Sequence, residues 1–300
     1  MATMRAEAVR VRVPASSANV GSAFDCAGVG LDVWDDVTAQ VSSDRGMRVT
    51  VSGVGAETLP GDCTHLVARA MKIGFDALGV HPSGVDITCV NRIPHGQGLG
   101  SSAAAIIAGV VAARALVSQG EALLSDDDLL TVALELESHP DNLAGSLFGG
   151  FNIAWVNDEG HAAHRTFSVH PDVAITMCLP NTITPTAEAR AVLPPDIPLR
   201  DAVINIGASA LLVHAITTEP ALLFAATRDA VHQPRRQTCF PQSLTVMTAL
   251  RAAGLPAVIS GAGPAVMVFA HADQVAPIVA SPDWQVASIS VAQRGAHVLT

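Results

Sequence analysis

The sequence predicts an α+β fold in two domains, and three observations support that prediction. The chain has 300 residues, of which 49% are hydrophobic and only 15% charged, so it can bury one large or two medium cores. Apolar runs of strand type and of helix type occur in both halves. The polar stretch at residues 161–169 places a boundary near residue 160, which gives domains 1–160 and 161–300.

Apolar periodicity then assigns the elements in order. Strands are expected at residues 9–13, 27–34, 37–41, 47–51, 85–90, 151–156, 173–178, 257–260, 265–269 and 297–299. Helices are expected at residues 65–78, 101–118, 126–138, 201–217 and 241–253, with a short loop at residues 139–142. The second of these helices is apolar on all sides, so we expect it to be buried.

Charge and cysteine content limit the classes of partner. The chain carries 17 basic and 27 acidic residues, a net charge of -10, and Lys72 is its only lysine, so a nucleic-acid-binding surface is not expected. Its five cysteines are scattered without C-x-x-C spacing, which indicates neither a zinc site nor a disulfide framework. The most apolar stretch, residues 103–117, is interrupted by Arg114 and is too short to cross a bilayer. We therefore expect a soluble, cytoplasmic protein with no membrane partner.

A glycine-rich stretch between a predicted strand and the buried helix is the strongest local signal for chemistry. Its residues are Pro94, His95, Gly96, Gln97, Gly98, Leu99, Gly100, Ser101, Ser102 and Ala103. Alternating glycines allow backbone N–H groups to converge, and the following helix adds the positive end of its dipole, so an anion is expected there. The alternative is a simple turn in which Ser101 or Ser102 caps the helix.

The stretch matches neither of the two commonest nucleotide-binding fingerprints. A P-loop requires a lysine directly after its glycines, and this stretch has none. A dinucleotide-binding fingerprint has a third glycine where this chain has Ser101. A bound phosphate would therefore be neutralised by amides, hydroxyls, the helix dipole and a metal ion. The nearest oxygen ligands in sequence are Glu135, Glu137 and Asp141, although from the residues alone a solvent-exposed helix face is the favoured interpretation of either glutamate.

Three segments, in this order along the chain, resemble the signature motifs of the GHMP kinase superfamily, which includes galactokinases, homoserine kinases and mevalonate kinases. They are residues 13–21 (VPASSANVG), 94–105 (PHGQGLGSSAAA) and 259–264 (ISGAGP). Four further segments are most similar to those of homoserine kinases: Phe24-Asp25, residues 139–142 before Gly149-Gly150-Phe151, residues 186–194, and residues 232–236.

The resemblance implies a two-domain GHMP kinase fold, with an N-terminal ribosomal-S5-like α/β domain and a C-terminal ferredoxin-like domain around a central cleft. It also implies transfer of the γ-phosphoryl group of ATP to the side-chain hydroxyl of L-homoserine, with Mg²⁺, in threonine biosynthesis. A homodimer is expected from the same resemblance.

The resemblance further assigns a role to each candidate residue. The ATP-binding residues are Pro94, Gly96, Gly98, Leu99, Gly100, Ser101, Ser102 and Ala103, and the metal ligands are Ser101 and Glu137. The substrate-binding residues are Asn19, Asp25, His139, Arg190, Arg236 and Gly261. The catalytic residues are Asn142, Thr186, Glu137 and Arg190. Asn142 stands where some relatives have an aspartate base, and an amide cannot accept a proton at neutral pH, so catalysis is expected to depend on positioning and charge stabilisation.

Several positions depart from the pattern of homoserine kinases and leave the acceptor open. Ser22-Ala23 replaces a Pro-Gly pair, Ala208 and Arg235 replace a common arginine and tyrosine, and His65 replaces an asparagine near the nucleotide base. The alternatives are a GHMP kinase for another hydroxy amino acid or small alcohol, and a catalytically silent relative that binds a metabolite.

Overall fold

The computed structural model describes residues 3–183 and 186–299, except for the side chain of Thr186. Within these residues the strands are β1 Val9–Ala18, β2 Ala27–Ser42, β3 Gly46–Gly53, β4 Gly84–Asn91, β5 Phe151–Val156, β6 Ala162–Phe167, β7 Thr176–Pro180, β8 Ala257–Ile259, β9 Val266–Val268, β10 Trp284–Ser288 and β11 His297–Leu299. The helices are α1 Leu66–Ala77, α2 Ser101–Ala115, α3 Gly120–Leu123, α4 Asp126–Ala133, α5 Pro140–Phe148, α6 Thr186–Ala191, α7 Leu199–Thr217, α8 Leu223–Ala226, α9 Pro241–Ala252 and α10 Ala272–Val275.

The strands of the described chain form two sheets. The larger sheet has the order β11-β1-β2-β4-β3, and the hairpin of β5 and β6 adds to one end of β2. The smaller sheet has the order β10-β7-β9-β8. This combination of sheets and helices confirms the predicted α+β class. The division at residue 160 stays a prediction, since β6 pairs with β5 and β11 pairs with β1, so the larger sheet takes strands from both sides of that residue.

Strand β2 joins two predicted strands into one. The predicted break fell at Asp35 and Asp36, which interrupt the apolar pattern. Asp36 forms an ion pair with Arg12 at 2.8 Å, and Asp35 accepts the backbone N–H of Ile93 at 2.9 Å. Both carboxylates thus have partners, so the strand can continue through them.

Helix α2 forms the centre of the core around the larger sheet. Ten of its 15 residues are buried, and it packs against α1, β1 and α5. Because its sides are buried, only the two ends of α2 come near the surface.

Two predictions near α4 and α5 were wrong. The helix predicted at residues 126–138 ends at Ala133, and the predicted loop at residues 139–142 contains the first turn of α5. Pro140 explains the second difference, because proline keeps the preceding residue out of helical geometry and is itself favoured at the first helical position. Glu137 therefore lies in the link between the two helices.

Helix α7 is the one helix among the described residues that is long and apolar enough to cross a bilayer. Only 28% of its most apolar window is buried. A single helix of this kind is weak support for a membrane span.

Candidate active site

The glycine loop, residues 94–100, connects β4 to α2 and depends on glycine for its shape. Gly96, Gly98 and Gly100 have φ angles of +67°, +80° and +66°, a region that side chains with a Cβ rarely adopt. At Gly98 a Cβ would also lie only 2.3 Å from the carbonyl oxygen of Ser260. The loop therefore needs glycine both for its backbone angles and for close contact.

The glycine loop is bound to the two other motif segments. Ser260 Oγ lies 2.6 Å from the carbonyl oxygen of Gly98 and 2.7 Å from Ser17 Oγ. Asn19 Nδ2 donates to the carbonyl oxygen of Gly261 at 2.8 Å. Three segments that are distant in sequence thus form one continuous wall.

The N-terminus of α2 is open to an anion. The helix begins at Ser101, and its N-cap is Gly100 in left-handed geometry, with no capping bond from a side chain. The alternative in which Ser101 or Ser102 caps the helix is therefore wrong. The amides of the first turn and the positive end of the dipole remain available to a bound phosphate.

A polar cavity of about 270 Å³ lies in front of this helix end. It is lined by most of the predicted site residues: Asn19, Asp25, Gly96, Gly98, Gly100, Ser101, Ser102, Ala103, Glu137, His139, Asn142, Arg190, Arg236 and Gly261. Pro94 and Leu99 do not line it, and the side chain of Leu99 is buried in the core. The prediction for Thr186 concerns a side chain outside the described part of the chain.

Asp25 and Arg190 form an ion pair at the edge of the polar cavity. Arg190 Nη2 and Nη1 donate to the two carboxylate oxygens of Asp25 at 2.7 and 3.0 Å. The pair is partly exposed, with 40% of the Arg190 side chain and 24% of the Asp25 side chain accessible. The carboxylate of Asp25 raises the pKa of Arg190. The residues expected to bind opposite ends of an amino acid are thus paired with each other.

Arg236 provides a second, buried cation. It donates from Nε to the carbonyl oxygen of Ala189 at 3.0 Å and from Nη1 to that of Gly261 at 3.3 Å. Burial, and then the neighbouring charge of Arg190, lower its pKa to about 10. At neutral pH it remains a cation with no carboxylate within ion-pair distance among the described residues, which suits it to bind an anionic ligand group.

The ring of Phe24 holds this cationic cluster together. The guanidinium carbons of Arg190 and Arg236 lie 5.4 and 5.7 Å from the ring centroid, within the range of a cation–π interaction. His232 stacks on the same ring at 4.9 Å, and its Nε2 donates to the carbonyl oxygen of Gly21 at 2.8 Å. Phe24 belongs to a segment that resembles homoserine kinases, but its contacts with the two arginines and His232 are visible only in the structure.

His139 lies between Asp25 and Glu137, two of the three acidic residues that line the polar cavity. Its Nε2 lies 3.4 Å from Asp25 Oδ2, and its Nδ1 lies 3.6 Å from Glu137 Oε1. The carboxylate of Glu137 raises the pKa of His139, so the ring gains positive charge more readily than a free histidine. His139 can therefore hold both carboxylates in place.

Asn142 has a fixed orientation next to the glycine loop. Ser16 Oγ donates to Asn142 Oδ1 at 3.0 Å, and Ser146 Oγ lies 3.2 Å from Ser16 Oγ. With Oδ1 held in this way, Nδ2 is the group left to donate toward the cavity. Ser16 lies in the first motif segment but was not among the predicted site residues.

Asp141 is the most strongly perturbed carboxyl at the site. It is 4% exposed, accepts the backbone N–H of Asn142 at 2.7 Å, and lines the polar cavity. Burial raises its pKa to about 7, so it is partly protonated at neutral pH. It therefore contributes less negative charge to the cavity than its sequence suggests.

An apolar cavity of about 200 Å³ adjoins the polar one, and both are lined by Ser101 and Ser102. Its walls are largely aliphatic side chains such as Val13 and Val37, with His65 and His95 among its few polar groups. The N-terminus of α2 thus lies between one polar and one apolar compartment.

The carboxylates around the polar cavity do not form a dedicated metal site. Among the described residues no group of three or more His, Cys, Asp and Glu side chains could hold a metal ion by itself. Glu137 and Ser101 nevertheless line the same cavity and offer oxygen ligands. Mg²⁺ commonly takes one or two protein ligands and completes its shell with water and phosphate oxygens, so this donor set is suitable for it.

Asp229 is a second residue that organises the site and was missed by sequence reasoning. Asp229 is buried and accepts from Asn205 Nδ2 at 2.8 Å and from the backbone N–H of Gln233 at 2.7 Å. These bonds shape the turn that carries His232 and Arg236. No sequence signal distinguishes Asp229 from an ordinary surface acid. Arg235, whose role was open, supports the same turn from outside by donating to Asp201 at 2.9 Å.

The fold and the three motif segments that form one wall of the site are typical of a class of kinases. Residues 65–150 match the family described as GHMP kinases N terminal domain, and residues 214–281 match GHMP kinases C terminal. The chain is also 47% identical to a homoserine kinase of Streptomyces coelicolor, over 98% of this chain and 96% of that protein. A homoserine kinase of Streptomyces avermitilis is 48% identical over 98% of this chain and 97% of its own.

A solved structure of a homoserine kinase is also similar to this chain in fold. The crystal structure of homoserine kinase from Cytophaga hutchinsonii has a TM-score of 0.84 and 27% identity, and the match covers 99% of this chain and 98% of that one. The chain therefore belongs to the GHMP kinases, and within them to the homoserine kinase family. The predicted two-domain GHMP kinase fold and the predicted ATP-dependent kinase class are thereby confirmed.

Proposed function

We propose that this protein transfers the γ-phosphoryl group of ATP to the side-chain hydroxyl of L-homoserine, as a step of threonine biosynthesis in the cytoplasm. The observation that carries the proposal is the placement of Asp25, Arg190 and Arg236 in a cavity that opens directly onto the N-terminus of α2. Charges suited to an amino acid and a site suited to phosphate thus share one small volume. The relatives are named homoserine kinases, which agrees with this arrangement.

The phosphates of ATP would bind at the glycine loop and the start of α2. Backbone N–H groups and the hydroxyls of Ser101 and Ser102 would neutralise part of their charge, since no lysine is near. The base would extend into the apolar cavity on the other side of the two serines. This places the γ-phosphoryl group toward the polar cavity.

Mg²⁺ would be held by Glu137 and Ser101 together with the phosphate oxygens. When bound, it supplies positive charge that offsets the negative charge of the transferred group. His139 would keep the Glu137 carboxylate in position from one side. This role is supported by the shared cavity and by the oxygen donors of the two residues.

Homoserine would be bound by exchange of partners in the Asp25–Arg190 ion pair. A zwitterionic amino acid carries one ammonium and one carboxylate, which match Asp25 and Arg190 respectively. Arg236 would add a second donor to the carboxylate from its buried position. Asn19 is an auxiliary group here, because its Oδ1 already accepts the backbone N–H of Asp25 at 3.0 Å.

The reaction would depend on alignment rather than on a strong base. Asn142 Nδ2 would donate to an oxygen at the reacting centre, in an orientation fixed by Ser16. The hydroxyl of homoserine would attack the γ-phosphorus, the bond to the ADP oxygen would break, and the hydroxyl proton would leave to solvent or phosphate oxygen in the loose transition state. Thr186 remains a proposed neighbour of the reacting hydroxyl.

The direct experiment is an ADP-release assay with L-homoserine, L-threonine, L-serine, mevalonate and a sugar as acceptors. The proposal requires the highest kcat/KM for L-homoserine. Preference for another acceptor would establish the alternative kinase, and ATP binding without turnover on any acceptor would establish a silent relative. The proposed homodimer is tested separately by sedimentation equilibrium of the purified chain.

A further inference from the structure

His65 occupies the boundary between helix α1 and the apolar cavity. It is the N-cap of α1, and its Nδ1 accepts the backbone N–H of Val67 at 3.2 Å. The residue is only 3% exposed and lines the apolar cavity. One ring nitrogen, Nδ1, is therefore hydrogen-bonded to the first turn of α1, and the other ring nitrogen is Nε2.

Nε2 of His65 is a buried polar atom without a partner. No group among the described residues forms a hydrogen bond with it. A buried polar atom of this kind is costly unless it is paired, so a native structure usually pairs it in its functional state.

The chemistry of Nε2 is fixed by the other side of the ring. Because Nδ1 accepts a hydrogen bond from Val67, a neutral ring must carry its proton on Nε2. Burial, and then the neighbouring His95, lower the pKa of His65, so the ring is neutral at neutral pH. His65 therefore presents one N–H donor and no acceptor to the cavity.

Two other polar side chains of the cavity, Asp35 and Asn91, are already hydrogen-bonded to the backbone. Asp35 Oδ1 accepts the backbone N–H of Ile93 at 2.9 Å, and Asn91 Nδ2 donates to the carbonyl oxygen of Val54 at 3.1 Å. The remaining walls are mostly aliphatic. A flat heteroaromatic base that brings a hydrogen-bond acceptor fits both the apolar walls and the unpaired donor.

We propose that His65 is a specificity-determining residue of the nucleotide site, and that its Nε2–H donates to a ring nitrogen of the adenine base. This inference rests on the proposed function only in taking ATP as the nucleotide at the glycine loop. It does not depend on which alcohol receives the phosphate.

The test compares binding of ATP with binding of 1-deaza-, 3-deaza- and 7-deaza-ATP, each of which lacks one ring acceptor. Dissociation constants are measured by calorimetry without any acceptor alcohol. We expect the wild-type protein to bind one of the three analogues about five- to tenfold more weakly than ATP, the range of one buried hydrogen bond. The other two analogues should bind within about twofold of ATP.

Two variants separate the donor from the structural role of His65. His65→Phe keeps the ring volume but loses the cap, whereas His65→Ser keeps a capping oxygen but loses the ring. Both should bind ATP more weakly, and both should lose the discrimination between ATP and the affected analogue. His81→Phe, at an exposed imidazole outside both cavities, should retain the wild-type discrimination. Thermal unfolding of each variant reports any loss of the cap independently.

Equal affinity for ATP and all three analogues in the wild type would overturn the role of His65, as would unchanged discrimination in both His65 variants or its loss in His81→Phe. Absence of any adenine-nucleotide binding would overturn the proposed function as well. Normal ATP binding without discrimination would leave the proposed function standing and remove only this inference.

Discussion

Arg190 binds Asp25 through two parallel hydrogen bonds of 2.7 and 3.0 Å, so the cation and the anion assigned to substrate recognition neutralise each other. The two residues are 165 positions apart in sequence. Both line the polar cavity beside the phosphate site. An amino acid presents the same two charges in the opposite sense, so it can replace each partner of this pair without leaving a charge unpaired.

Replacing Arg190 by Lys should weaken homoserine binding while leaving the nucleotide site intact. Lysine keeps the charge but loses the planar fork that pairs with a carboxylate at two points. We expect KM for homoserine to rise by about tenfold or more, with KM for ATP within about twofold. Steady-state kinetics with each substrate varied in turn provides the measurement. Arg200→Lys, at an exposed arginine of α7, is the matched control and should behave as wild type.

Removing Glu137 should abolish most turnover, because under the proposed function Mg²⁺ would lose the carboxylate that Glu137 provides. For Glu137→Ala we expect kcat to fall by about a hundredfold or more, with only a modest change in stability at this partly exposed site. Glu135→Ala removes an exposed carboxylate two residues earlier and should have little effect. Turnover measured across a magnesium titration checks the assignment, and near-normal activity of Glu137→Ala at saturating magnesium would refute it.

Replacing Asn142 by Ala should reduce kcat more than it reduces binding. The amide is oriented by Ser16 and lines the polar cavity, so under the proposed function its loss acts on the alignment of the substrates. We expect kcat to fall by about ten- to a hundredfold, with the dissociation constant of ATP nearly unchanged. Ser16→Ala should show a smaller fall in kcat, since the amide is still present but free to rotate. Equal KM increases and an unchanged kcat in both variants would contradict this role.

Asp141 should make the protein less stable as pH rises from about 4 to 7. Its pKa is raised to about 7 by burial, above the value of about 4 in an unfolded chain, so the folded state binds the extra proton in this interval. Stability from this group is therefore complete below pH 4 and is lost as pH approaches 7. Asp141→Asn removes the titration and should gain stability relative to wild type between pH 5 and pH 8. Denaturant unfolding of wild type and Asp141→Asn at pH 5 and at pH 8 measures the difference in their free energies of unfolding. A difference that is the same at the two pH values would contradict the raised pKa of Asp141.

Replacing Gly98 by Ala should damage both the fold and ATP binding. The new Cβ would meet the carbonyl oxygen of Ser260 at 2.3 Å, at a φ angle of +80°. Gly79→Ala is a suitable control because Gly79 has a similar φ of +67° and no atom within 4 Å of the added Cβ. We expect Gly79→Ala to cost about 1–2 kcal/mol of unfolding free energy and Gly98→Ala substantially more. Equal losses in the two variants would show that backbone strain alone, and not the contact between loops, determines the effect.

The sequence predicted the parts of the fold that depend on local pattern. The apolar run of α2 and the glycines before it determine a buried helix with an open N-terminus, and both were expected. The end of α4 was misplaced by five residues because helical propensity continues past Ala133, whereas the nearby Pro140 determines where the next helix begins.

The parts of the site that depend on contacts between distant residues were not predictable from one sequence. The sequence indicated Asp25 and Arg190 as separate charges, and their pairing is visible only in the folded chain, where α6 brings Arg190 next to Asp25. Asp229 and Ser16 were missed for the same reason, since each acts on a site residue through a hydrogen bond that no local pattern encodes. The hydrogen bond from the backbone N–H of Val67 to His65 Nδ1 is likewise visible only in three dimensions.

The central claim is the transfer of phosphate from ATP to the hydroxyl of homoserine. It is tested most directly by phosphorus NMR of a reaction containing the protein, ATP, Mg²⁺ and L-homoserine. We predict that the γ-phosphate signal of ATP is replaced by equal amounts of ADP and a phosphomonoester whose phosphorus couples to the terminal CH₂ of the amino acid. An unchanged ATP spectrum, or release of inorganic phosphate without that phosphomonoester, would contradict the claim.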